Sequence, residues 1–194
     1  MRGRQIGRVL IALCIFIYLL TGQIDVSAGT SGFKVRKSNG DPLPGGVSFT
    51  PRSPSGKASS IISSVQSRSQ NGTLISYFPG YVRSEIWDML PDGCPEHAVT
   101  LRGYATFVVK GYTKDVGSVV MRLETGTSTS SSYHYIGLVA VISSDGSVDW
   151  HTMRARIYSS GTFSVTLGSG LCAALSKDGR TGLLLVIGES YRWW

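Results

Sequence analysis

Histidine and cysteine are scarce in this chain, three of each, and their placement excludes most of the chemistry they could carry. His97, His134 and His151 form no pair at metal-ligand spacing and have no cysteine beside them, so no metal site is expected. No Gly-x-Ser-x-Gly elbow presents a serine nucleophile, and the many serines fall in Ser/Thr-rich turns. The glycines do not form a phosphate-cradling loop opening a helix. Paired acids such as Asp145 with Asp149, or Glu85 with Asp88, have a spacing common on solvated faces. The sequence therefore reads as a non-enzymatic protein without a cofactor.

Long hydrophobic runs are lacking too. The apolar run over residues 9–20 falls short of the roughly 20 residues a helix needs to cross a bilayer core. With Arg2, Arg4 and Arg8 before it and Val26-Ser27-Ala28 after it, it has the order of an export signal cut after Ala28. Residues 1–28 are read as a signal peptide and the remainder as secreted, without stable membrane insertion after cleavage; an uncleaved anchor is the weaker alternative. Cys14 leaves with the leader, so only Cys94 and Cys172 remain. In an oxidising compartment they suggest one disulfide, worth about 4 kcal/mol on the chain-entropy model. Two separate buried thiols are the alternative.

What is present is a net positive charge of +7, much of it dispersed. Lys34, Arg36 and Lys37 form the one dense basic cluster, which is either a solvated leader or a contact for anionic glycan, lipid or nucleic acid. Elsewhere the basic residues occupy alternating positions without the aromatic interleaving of a nucleic-acid platform, so nucleic acid is not the expected partner.

Residues 29–57, rich in Gly, Pro and Ser, are expected to form an extended basic arm, and residues 58–194 a single domain. Short apolar stretches at 47–49 and 60–65 could each add a strand. From Thr73 onward, period-two alternation dominates. Leu101, Ala105, Phe107 and Val109 face one way and Arg102, Tyr104, Thr106 and Lys110 the other. Val119, Met121 and Leu123 alternate with Arg122 and Glu124; Met153, Ala155 and Ile157 with Arg154, Arg156 and Tyr158; Phe163, Val165 and Leu167 with Thr162, Ser164 and Thr166. Residues 136–142 and 183–187 are apolar on both faces, as strands in the middle of a packed structure are. Asp145-Gly146 and Asp178-Gly179 suit tight hairpins, and residues 81–90 carry Val82 and Ile86 at helical spacing. The fold class expected is all-β, an antiparallel β-sandwich of jelly-roll type with an N-terminal arm.

Aromatic residues beside polar ones are the best candidates for binding. Tyr133-His134-Tyr135 follows a loop, residues 125–132, that has no apolar residue and must be exposed; Trp150-His151 follows a hairpin turn; Tyr191-Arg192 precedes the terminal Trp193-Trp194. Trp150 and one terminal tryptophan are read as core side chains in the alternative. Asn71-Gly72-Thr73 is a glycosylation sequon in a polar turn.

The segment Ala155-Arg156-Ile157-Tyr158, then Phe163-Ser164-Val165-Thr166-Leu167, then Leu183-Leu184-Leu185-Val186-Ile187-Gly188-Glu189, closing on Tyr191-Arg192-Trp193-Trp194, resembles the final strands and aromatic terminus of the β-sandwich receptor-binding heads of phage tail fibres. The resemblance implies recognition and carries no site residue over. The function expected is thus recognition or adhesion, with a cell-surface glycan or protein bound through loop aromatics. A self-assembling coat or matrix protein, with contacts between copies, is the rival.

Overall fold

Alternation along the strands builds one antiparallel sheet that curls until it nearly closes around a shared core. The computed structural model describes residues 32–70, 73–89, 99–125, 134–159 and 161–189. The leader, Asn71, Cys94, Tyr133, Tyr191 and Arg192 lie outside them. The elements in chain order are β1 (Phe33–Lys37), β2 (Ser48–Arg52), α1 (Gly56–Gln70), α2 (Gly80–Met89), β3 (Val99–Lys110), β4 (Val119–Glu124), β5 (Tyr135–Ile142), β6 (Val148–Ser159), β7 (Thr162–Leu167), α3 (Ser169–Leu175) and β8 (Thr181–Glu189). The sheet order is β1-β4-β7-β6-β5-β8-β3-β2. The fold is all-β with few helices. Its first strand pairs with β4, and its last lies between β5 and β3; a jelly roll would pair the first strand with the last.

Phe107 marks the closure. Its fully buried ring lies 5.5 Å from Phe33 on β1 and 6.1 Å from Phe49 on β2, the strands at opposite ends of the sheet order. Gly182 on β8 leaves the space, since a Cβ there would stand 2.6 Å from that ring. Around Phe107, the inner face collects Met121, Leu123, Val139, Phe163, Val165 and Val186 into one cluster. The stretch expected to be a free arm therefore supplies both end strands. Pro51 sits where a missing N–H is tolerated, on end strand β2.

Middle strands β5 and β8 are apolar on both faces and need a second cover, which α1 and α2 provide. Ala58, Ile61, Ile62 and Val65 of α1, with Val82 and Ile86 of α2, pack onto Leu138, Leu185 and Ile187 in a second cluster on the outer face. The region 60–65 is thus helix, where a strand was expected. Its apolar positions recur at the three- and four-residue spacing of a helix face, and serines fill the exposed side. The Leu101 N–H donates to Ser69 Oγ at 2.9 Å and ties α1 to β3.

The opposite face of β3, expected to be wet, is covered in part. Thr106 is 1 % exposed, and its hydroxyl donates to the Arg52 carbonyl. The helix at 80–89 and the 144–147 hairpin turn match expectation, the latter closed by the Ser147 N–H donating to Asp145 Oδ1 at 2.9 Å. Asp178-Gly179 instead joins α3 to β8 and makes no hairpin.

Cys172 on α3 carries a free thiol, fully buried against the inner core, with Sγ 3.7 Å from the Leu167 carbonyl. The bridge expected from the cysteine count is not formed at this residue. A helix following β7 seals the thiol inside the curl, and burial pushes its pKa up to about 12.

Candidate functional site

Strands β1, β4 and β7 and the second half of β6 turn one set of side chains into the core and leave the other set uncovered. Phe33 and Val35, Met121 and Leu123, and Phe163 and Val165 point inward. The alternate positions carry Lys34 and Arg36, Arg122 and Glu124, Ser164 and Thr166, and Arg156 and Tyr158. Strand register lines these up in rows. Lys34 pairs with Arg122, Arg122 with Ser164, and Ser164 with Arg156, so one row crosses four strands. Arg36 opposes Val120, which opposes Thr166, in the next row. Arg154 precedes Arg156 by two residues on the same side of β6 and is exposed.

The charges on this face are poorly matched. Lys34 Nζ stands 3.7 Å from Glu124 Oε1, with both side chains mostly in water, a pair worth little. The Arg122 guanidinium lies 3.7 Å from the centre of the Tyr158 ring, a cation–π contact that holds both side chains on the surface. Tyr158 is 60 % exposed. The face is therefore a largely cationic surface with hydroxyls between the cations, and Arg122 and Tyr158 hold one another in place on it.

The residues expected to bind that fall among the described ones are spread apart. Tyr135 is buried in the inner core, its ring 4.8 Å from Phe163, with Gly188 leaving it space. Trp150 packs edge-on against Phe78 at 5.3 Å in the outer cluster. These two rings lie on opposite faces of the sheet, each packed into one of its two clusters. The alternation of β5 and β6 sends Tyr135 inward and Trp150 outward. His134 is exposed at the start of β5, and His151 Nε2 lies 3.1 Å from Asp149 Oδ2. Neither histidine joins a cluster, and among the described residues no group of histidine, cysteine and carboxylates could hold a metal ion.

Two depressions are lined by described residues. One, of about 640 Å³, lies between β2, β3 and the turn before β8, with Arg52, Ser53, Thr106 and Arg180 in its lining; the other, of about 400 Å³, is edged by Lys57, Tyr77, Pro79 and Trp150. The perturbed acids mark structural positions: hydrogen bonds from Ser147 hold the Asp145 carboxyl below its ordinary range, and one from Thr113 does the same for Asp115.

The alternation placed Arg122, Arg156 and Tyr158 on a wet face, but it did not show that they share one surface. That depends on β4, β7 and β6 lying side by side, which only the fold supplies. Comparison with family models, curated proteins and solved structures finds no match to this chain.

Proposed function

We propose that the protein is a secreted, non-enzymatic recognition or adhesion protein that meets a surface ligand through the bare face of β1, β4, β7 and β6. The observation that carries this reading is the contrast on the outer face: its apolar half lies under α1 and α2, whereas its other half presents Arg36, Arg122 and Arg156 to water. Leaving that half uncovered exposes little apolar surface beyond the Tyr158 ring and keeps the charges available to a partner. The same reading takes the curled sheet as a two-layered sandwich, with β6 passing from one layer to the other, because its first half pairs with β5 and its second with β7.

A glycan array and a cell-surface binding screen on the purified protein test the proposal. Binding should fall in Arg122→Ser, Arg156→Ser and be retained in His134→Ala. The reverse result would return recognition to the loop before β5. The rival, self-assembly, draws on the end strands β1 and β2, each of which pairs on one side alone among the described residues. Light scattering after size exclusion separates the two readings: a monomer or small closed oligomer supports recognition, and large concentration-dependent assemblies support a coat or matrix protein.

A further inference from the structure

We infer that the bare face binds a sulfated polysaccharide, with Lys34, Arg36, Arg122 and Arg156 receiving its sulfate groups and Thr166 donating its hydroxyl between them. This rests on the recognition reading above and names its ligand class.

The geometry suits a chain of fixed anions. Neighbouring strands lie about 4.8 Å apart and alternate residues about 6.8 Å along a strand, so the cations span a patch of roughly 14 Å by 7 Å. Lys34, Arg122, Ser164 and Arg156 fall in one register row, with Arg36 and Thr166 in the next. Glu124 is the one carboxylate among the outward positions of β4 and β7, and Lys34 already faces it. Arginine offers forked donors that match a sulfate's oxygens as they match a phosphate's.

Other occupants fit less well. A single-stranded nucleic acid gains much of its affinity from bases stacked on bare aromatic rings. Among the described residues Tyr158 is the one aromatic on this face, and Arg122 already covers its ring. Stable docking on an anionic bilayer draws on apolar side chains that insert beside the cations, and among the described residues the face offers partly buried Val120 and the Tyr158 ring, which Arg122 covers. A second copy meeting this face with its own would set cations against cations.

The test is binding of the purified protein to immobilised heparin in about 0.15 M salt, where exposed charges are screened beyond about 8 Å. The face variant is Lys34→Ser, Arg122→Ser, Arg156→Ser. A control removes equal charge from exposed sites off the face, Lys110→Ser, Lys114→Ser, Lys177→Ser, and both variants are checked for an unchanged melting temperature. The face variant should weaken heparin binding by about tenfold or more and the control by less than about threefold, as discrete contacts rather than net charge require. Desulfated heparin should not compete.

Equal losses in the two variants would overturn the inference, as would competition by desulfated heparin. Tighter binding of poly(U) RNA or of phosphatidylserine vesicles than of heparin would overturn it in favour of that ligand. If heparin fails to bind but the face variant loses a different array ligand, the sulfate assignment falls and the recognition reading stands. If the face variant loses no ligand at all, both fall.

Discussion

Leu138, Leu185 and Ile187 lie on the same outer face of the same sheet as Arg122, Thr166 and Arg156, yet the first three are sealed beneath helices and the last three stand in water. Both halves bury their inner side chains around Phe107 and Phe163 in the same way. The difference comes from the alternate residues of each strand. Where they are apolar, as on β5 and β8, water on that side is costly, and α1 and α2 cover it at about 1.5–3 kcal/mol for each large side chain buried. Where they are Arg, Thr and Ser, a covering helix would have to desolvate charge without a partner. One sheet thus becomes structural under the helices and accessible beyond them.

The largest expected effect comes from the core the two halves share. Phe107→Ala should lower stability by about 3–5 kcal/mol in chemical denaturation, because the ring is fully buried and both end strands pack on it. A loss below about 1 kcal/mol would mean that the sheet does not close around this residue. Thr106→Ala should cost less, about 1–2 kcal/mol, through the Arg52 carbonyl left without its donor. A neutral outcome would place Thr106 with the wet residues, as the alternation alone suggested, and would move the border of the covered half past β3.

Three strands of the bare half, β4, β6 and β7, were legible in the sequence because each keeps a clean two-residue period, whereas β1 lay in the stretch read as an arm. So were the doubly buried β5 and β8, from apolar runs without alternation. α1 was hidden: with serine at so many of its exposed positions, the apolar residues at 61, 62 and 65 look like a strand fragment until the helical spacing back to Ala58 is counted. α3 was missed because seven small and apolar residues carry little periodicity. The aromatic residues were ambiguous for a physical reason, since a ring beside a polar neighbour suits both a contact and a core position. Tyr135 and Trp150 took the core, held by Phe163 and Phe78. The basic face was the least legible feature. Lys34 and Arg122 are far apart in sequence, and their pairing depends on β1 returning to lie beside β4.

The division of the outer face is tested most directly by placing the same polar group in each half. Val120 on β4 and Leu185 on β8 both point outward from the sheet, the first half-exposed and the second fully buried under the helices. Val120→Gln and Leu185→Gln, compared by denaturant unfolding, should differ sharply: under about 0.5 kcal/mol for the first, as at a surface position, and more than about 3 kcal/mol for the second, which buries an unpartnered amide and loses its packing. Equal losses at the two positions would contradict the account, because the half of the sheet described as bare would then be as tightly covered as the half beneath α1 and α2.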